Sequence, residues 1–348
     1  MSEKSKQLVS LSAIEKTVVN NIPKLTEEKV RGKGYVGYGQ RNLFPSYLWD
    51  LYLNIPTLQA VINGTADYVG GDAIIATREI ANNTGETTES VLRKAILDYI
   101  IFGGFALQII RSLNGDIAEV YHLDFQRVRS NEDNTVFYYA KDWDSWGTKA
   151  KVYPKFGEDD NNPTSVLYFK GKITRGTYPI PIYNAALIAC ELEKAINEFH
   201  LNNINNGFAA NVIINFNNGQ PDEKQKAEIE DDLNEKHSGF QNAGRFIISY
   251  NDSADNATTV QRLDDDQFDK KYQALSERSR DQIFTAFRAN PCLFGLDLST
   301  GFNKTEYQEA FKVFNKSVIQ PLQKDVVDAI RPVFGEVLIK PFTINWDE

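Results

Sequence analysis

The chain is poor in the residues that carry most enzymatic chemistry. Of its 348 residues only three are histidine, two are cysteine and one is methionine. His122, His200 and His237 fall in three different sequence elements, and no zinc-protease helix, nucleophile elbow, phosphate-binding P-loop or cysteine–histidine metal pattern occurs. Each histidine therefore reads as structural, and no catalytic residue, metal or cofactor is assigned. Cys190 and Cys292 lack metal-ligand spacing and read as buried small hydrophobes of a reducing compartment. Long apolar runs are absent too. The most apolar stretch, Tyr99–Ile110, is broken by two glycines and a glutamine, whereas a membrane span needs about 20 apolar residues. No membrane partner is expected. The opening MSEKSKQLVS lacks the apolar core of a signal peptide, so secretion is not expected. The Asn-x-Ser/Thr triplets at Asn63, Asn82, Asn251, Asn256 and Asn303 then read as chance.

Positive charge is also in short supply. The net charge is −9, and between Asn218 and Asp266 there are 12 acidic residues against 5 basic ones, a local −7. Tight sequence-independent binding to nucleic acid needs lysine and arginine on the phosphates, so an acidic body argues against it. It does not exclude contact, since a surface that DNA slides past should repel it weakly. Asp231, Asp232, Asp264, Asp265 and Asp266 are candidates for cation binding, but acidic runs at helix ends usually face solvent or compensate the helix dipole. Arg31–Gln40, RGKGYVGYGQ, is basic and glycine-rich yet lacks the closing Gly-Lys-Ser/Thr of a phosphate loop. It reads as part of a flexible N-terminal arm, residues 1–44.

What is present is a helical hairpin that organises the C-terminal half. Phe268, Tyr272, Leu275, Ile283 and Phe287 share one face of a helix running from Gln267 to Asn290, with charged residues opposite and Pro291 as its stop. After a proline- and glycine-containing loop, Asn303 and Glu306 give a capping-box start to a second helix. Tyr307, Phe311, Phe314, Val318, Leu322, Val326 and Ile330 hold its period. Pro321 inside that pattern predicts a kink or break, with Pro321 opening a new segment.

Upstream, residues 45–178 read as an α+β lobe. Tyr47–Tyr68 is helical, interrupted at Pro56, and Ala73–Ala76 is a short strand. Thr87–Ser90 open a helix through about Ile101. Strands follow at Phe105–Ser112, Ile117–His122, Thr135–Ala140 and Val166–Lys170, the first pair joined by the hairpin signal Asn114-Gly115. Trp143, Trp146, Tyr153 and Phe156 are expected to pack over this sheet. A third long helix, Tyr183–Asn206, has the predicted buried stripe Ala185, Ile188, Ala189, Leu192, Ala195, Ile196 and Phe199, with Gly207 as its cap. A strand Asn211–Phe216, a helix Glu223–Lys236 and a strand Arg245–Tyr250 make a small acidic α+β unit. Val337–Trp346 adds edge strands.

The order of these pieces resembles the portal proteins of tailed bacteriophages. Four stretches carry the likeness: Tyr178–Phe216, YPIPIYNAALIACELEKAINEFHLNNINNGFAANVIINF; Ser238–Tyr250, SGFQNAGRFIISY; Ile283–Gly295, IFTAFRANPCLFG; and the following helix with Pro321. Two departures stand out. Asn290 replaces the first proline of the family's Pro-Pro pair, and Tyr168 stands where a histidine is often found.

The resemblance implies an α+β portal-type fold. Residues 45–178 would be an outward wing, 179–207 and 267–290 the stem helices, and 208–266 a clip. Residues 291–303 would form a tunnel loop, and 304–348 C-terminal wing helices and edge strands without a large crown. It implies a homo-oligomeric ring of about twelve copies at the unique capsid vertex of the virion. That ring would be a channel for packaging and ejecting double-stranded DNA, assembled in the host bacterial cytoplasm. The implied partners are the terminase large subunit, a head–tail adaptor, and the major capsid and scaffold proteins. Leu298, Ser299, Thr300, Gly301, Phe302 and Asn303 would then face the channel, and Asp231, Asp232, Asp264, Asp265 and Asp266 would form an acidic collar. Two other readings stay open: a metal-dependent hydrolase or nuclease using the same carboxylates, and a different head–tail structural component such as an adaptor.

Overall fold

The computed structural model describes residues 22–143, 147–158, 162–174, 176–205, 212–216, 224, 246–250, 265–296 and 304–343. Two compact units divide the chain, one of Met1–Glu191 with Ser279–Glu348 and the other of Leu192–Arg278.

The first unit begins with two helices, α1 (Phe44–Asn54) and α2 (Pro56–Gly70). Pro56 sits in the first turn of α2, where its missing N–H costs nothing, so the sequence's interruption becomes a helix start. Strand β1 (Ala73–Ala76) follows, then α3 (Thr88–Phe102). The Thr87 side chain accepts from the Ser90 N–H and caps α3 at its N-terminus. At the other end Gly103, at φ 85°, turns the chain in the left-handed region, and the Tyr183 hydroxyl donates 2.8 Å to the Ile101 carbonyl that the helix end leaves open.

Strands β2 (Gly104–Arg111), β3 (Ile117–Leu123), β4 (Val128–Ser130), β5 (Val136–Tyr139), β6 (Lys151–Pro154) and β7 (Thr164–Lys170) form two antiparallel sheets, ordered β3-β2-β7 and β4-β5-β6. Central β2 is buried on both faces from Gly104 to Leu107, which is why it reads as a near-continuous apolar run. Gly115 takes φ 86° as the last residue of the Leu113–Gly115 loop between β2 and β3, the left-handed position that three-residue hairpin loops give to glycine, and the register slips between Ile110 and Arg111. Of the four aromatics expected over these strands, Trp143 donates from Nε1 to the Arg127 carbonyl and meets the Tyr35 ring edge-on. Tyr153 lies within β6, Phe156 packs under Arg111, and Trp146 lies outside the described residues.

Helix α4 (Leu187–Asn205) is entered through a 3₁₀ turn, Asn184–Ala186. The buried stripe differs from the predicted one. Ala186, Leu187, Ala189, Cys190 and Ile196 are buried, while Ala185, Ile188 and Phe199 are exposed. A 3₁₀ turn advances faster per residue than an α-helix, so a helical period started at Ala185 arrives out of phase. Glu191 is buried on this helix beside the Tyr47 hydroxyl, whose pKa is pushed up by burial first and by the Glu191 carboxylate second.

In the second unit β8 (Val212–Phe216) pairs in parallel with β9 (Phe246–Tyr250), from Val212 opposite Phe246 to Phe216 opposite Tyr250. Parallel pairing requires a long crossover. The helix predicted at Glu223–Lys236 lies in that crossover, where only Lys224, which is helical, is described. Gly207 falls outside the described residues. The Phe199 and Tyr272 rings stack at 4.6 Å with His200 edge-on to Tyr272, so His200 is an aromatic packing partner.

Helix α5 (Asp265–Phe287) ends three residues before the predicted Asn290. Arg288 takes φ 54°, its N–H bonds the Thr285 carbonyl, and the Ala289 N–H bonds the Phe284 carbonyl. This is a Schellman ending with arginine in the place usually held by glycine. Helix α6 (Lys304–Phe314) passes into α7 (Gln320–Phe334) through a π-turn, Asn315–Ile319. As expected, Pro321 opens a new segment, and the interruption takes the form of the π-turn rather than a gap between helices. Pro321 lies in the first turn of α7, and the single wide turn ahead of it absorbs the proline. Strand β10 (Val337–Lys340) then pairs antiparallel with β1, joining the two ends of the unit.

Within residues 22–44, expected as part of a flexible arm, Val36–Gly39 and Phe44 are buried instead. Tyr38 is fully buried, stacks on Tyr178 at 4.0 Å and donates 2.6 Å to the Pro179 carbonyl. The Glu27 carboxylate accepts from the Thr177 and Tyr178 N–H groups. The aromatic residues between the arm's glycines find a hydrophobic slot, which glycine content alone does not reveal.

Candidate functional site

Of the residues singled out by sequence, Leu298, Ser299, Thr300, Gly301, Phe302, Asn303, Asp231, Asp232 and Asp264 lie outside the described residues. Asp265 and Asp266 open α5, the end of a helix that favours negative charge. Among the described residues no group of three or more His, Cys, Asp or Glu stands placed to hold a metal ion, and no helix is long and apolar enough to cross a membrane.

The structure does define the two points between which residues 297–303 run. On the near side Pro291–Phe294 forms a 3₁₀ turn capped by the Asn290 side chain, which accepts 3.0 Å from the Cys292 N–H. Asn290 thus performs locally as a cap where the family pattern places a proline. Leu293 is buried, and Phe294 lies in a notch over Gly64 of α2, where an added Cβ would approach its ring carbons at 2.6 Å. On the far side α6 packs its Phe314 into the same core. Phe294 and Phe314 meet edge-on at 6.1 Å, so the two sides touch directly.

Three polar groups lie deep in the first unit. The Asp98 carboxylate on α3 lies 2.7 Å from His122 Nε2 on β3 and also accepts from the Phe125 N–H. Burial raises the Asp98 pKa, against the pull of His122. For His122 burial works against the charged ring, but Asp98 outweighs it and lifts its pKa. Arg129 is fully buried and reaches Asn42 Oδ1 and the carbonyls of Asn42, Gln126 and Val128, with the Tyr38 and Trp143 rings alongside. Burial pushes its pKa down to about 10. Tyr168 stacks on Phe125 and Phe137, and burial raises its phenol well above the usual value. A cleft of about 180 Å³ lies between α7 and the end of α5, walled by Phe287, Val318 and Leu322. Its rim is the Lys172–Asp325 ion pair at 3.0 Å, with Tyr99 donating to Asp325. None of these groupings pairs a nucleophile with a base.

Sequence reasoning reached His122 but missed Asp98 and Arg129. The signal for Asp98 was available, since it is the lone charge in the apolar run of α3, AILDYIIF. Arg129 had no such signal, because the strand that buries it is only three residues long.

A search of curated proteins finds no match. A family model described as phage portal protein matches residues 74–338, well over half of the chain. Among solved structures, a chain of the virion of a native gene transfer agent particle superposes with a TM-score of 0.56 at 16% identity, over 94% of this chain and 89% of that one. The neck of the native gene transfer agent particle, computed with C12 symmetry, gives 0.55 at 18% identity, again over 94% and 89%. A crystal structure of an HK97-family phage portal protein from Corynebacterium diphtheriae gives 0.54 at 13% identity, over 83% of this chain and 93% of that one. The structural likenesses establish a shared fold, and the family model reaches from β1 to β10. On that match the chain belongs to the phage portal protein family.

Proposed function

We propose that this chain is the subunit of a portal ring at the unique vertex of a phage-type capsid, through which double-stranded DNA is packaged and ejected. The observation that carries the reading is the family match over residues 74–338. The similar neck particle with C12 symmetry favours a cyclic assembly of about twelve copies. The exposed surface agrees with a protomer that neighbours complete. Ile75 and Leu338 lie opposite each other across the β1–β10 pair, and both are about half exposed, as is Ile188 on α4. Apolar side chains left open in this way are covered when head-to-tail contacts close a ring.

Within this reading residues 45–178 and 304–348 form the wing, 179–207 and 267–290 the stem, 208–266 the clip and 291–303 the tunnel loop. The clip is the docking surface for the terminase large subunit and later for a head–tail adaptor, while the wing faces the capsid and scaffold proteins. The subunit acts as a conduit and not as an enzyme. It serves in the virion after assembly in the host cytoplasm. The acidic collar from Asn218 to Asp266, multiplied around the ring, keeps the phosphate backbone from adhering, because several phosphate contacts would hold DNA tightly enough to stall it. Charge reversal there should slow DNA passage, and unchanged passage would remove the collar from the account. The test of the whole reading is electron microscopy of the purified protein. Rings with a central opening are expected, whereas a compact monomer at all concentrations would overturn it.

A further inference from the structure

Tyr68 occupies an unusual position in the first unit. It sits one turn beyond Gly64 on α2, so both point from the same face of that helix. Gly64 receives the Phe294 ring, and the Tyr68 hydroxyl donates 2.8 Å to the carbonyl of the preceding residue, Leu293. That bond commits the only proton of the phenol. The Tyr307 hydroxyl of α6, 3.4 Å away, therefore makes its contact as donor. Around the ring stand Phe294 from the near side, Phe311 and Phe314 from α6, and Phe342 beyond β10, at centroid distances of 6.1, 5.7, 5.9 and 5.0 Å. One side chain thus holds by hydrogen bonds and by aromatic contacts both Leu293–Phe294 and helix α6 along its length, from Tyr307 to Phe314. Burial raises the Tyr68 pKa, which keeps the hydroxyl protonated and able to donate.

We propose that Tyr68 is a positioning residue for DNA passage, fixing from α2 the two backbone points between which residues 297–303 are strung. Packing alone would be served by phenylalanine. The hydroxyl adds a bond to each side, and the two sides are then set relative to one another and not merely covered. The inference rests on the portal reading for its DNA partner, but the coupling of the two sides does not.

The experiment uses the full chain, Tyr68→Phe and Tyr307→Phe, with amide hydrogen exchange followed by mass spectrometry. Loss of a hydroxyl bond worth about 1 kcal/mol corresponds to roughly fivefold faster local opening. Tyr68→Phe should accelerate exchange at residues 291–296 and at 304–311 together, whereas Tyr307→Phe should accelerate 304–311 alone. Rings of each variant mounted in a solid-state nanopore, with linear duplex DNA driven through by voltage, supply the second readout. A shift in duplex dwell time for Tyr68→Phe, with ring dimensions unchanged by electron microscopy, is expected. Acceleration on one side only, or an unaltered dwell time, would overturn the proposal. Failure of the wild-type chain to form rings would instead count against the portal reading and leave the exchange result to decide the coupling.

Discussion

Arg288 Nη2 donates 3.0 Å to the Ser317 carbonyl, tying the end of α5 to the π-turn between α6 and α7. The two residues solve each other's difficulty. A π-turn shifts the regular i→i−4 ladder and leaves a carbonyl in need of a donor. Arg288 has φ 54°, which costs an L-residue about 1 kcal/mol relative to glycine. Arg288→Ala keeps the strain and loses the bond, and should lower stability by about 0.5–1 kcal/mol. Arg288→Gly loses the bond but relieves the strain, and should come out near the parent. The order parent ≈ Gly > Ala in thermal unfolding checks this. An alanine variant as stable as the glycine variant would mean that the strain is not there.

The Asp98–His122 pair should make the fold less stable as pH rises. Both groups have folded-state pKa values above their ordinary ones, so the folded protein holds protons more tightly than the unfolded chain. The His122 contribution is complete below its unfolded value near 6.5 and is lost as pH climbs through the raised folded value. Asp98 works in the same sense at lower pH, above its unfolded value near 3.8. Urea unfolding from pH 5.5 to 8.5 should show a declining midpoint in the parent and a flatter one in His122→Gln. The two profiles coinciding would dismiss the pair as a source of the slope.

The helices and the hairpin were legible because their signals are local. Pro56, Gly103 and Asn114-Gly115 act within a few residues, and the structure uses each where the sequence placed it. The arm and the α4 stripe were not legible, because both depend on what lies across the chain. Tyr38 is buried by Tyr178 and Pro179, some 140 residues away, and α4 buries Glu191 because Tyr47 stands opposite it. The π-turn is a third case. Periodicity sees Phe314 and Val318 as one continuous face, and an inserted turn of five residues preserves that face, so only the new segment opened by Pro321 was legible. The candidate loop residues were named from the resemblance and the collar carboxylates from the acidic run, their collar role again from the resemblance, and the geometry adds only the anchors on either side of the loop.

Arg129 should prove hard to replace. Its planar fork meets three carbonyls from two segments, and two of its bonds go to Asn42, itself at φ 63°. Lysine keeps the charge but offers a single nitrogen, so several acceptors lose their donor. Arg129→Lys should cost about 2 kcal/mol or more. It should also loosen residues 22–44, seen as faster tryptic cleavage after Lys29, Arg31 or Lys33. A variant that unfolds early yet shows unchanged cleavage from the folded state would separate Arg129 from the arm.

Gly64→Ala sets two effects of opposite sign against each other. Alanine in place of glycine within a helix gains about 1 kcal/mol in backbone preference. The added methyl, however, would lie 2.6 Å from two carbons of the Phe294 ring, and the ring is itself pressed by Phe284, Phe314 and Tyr68. Overpacking against a side chain that cannot yield costs about 1–3 kcal/mol. The clash should win, giving a net loss of about 1 kcal/mol and an outward shift of the Pro291–Phe294 turn. Gly64→Ala combined with Phe294→Leu should recover the loss, since a smaller, flexible side chain clears the notch and the helix then keeps the gain. If the single variant were more stable than the parent, Phe294 would not be seated on α2, and the near anchor of residues 297–303 would have to be sought elsewhere.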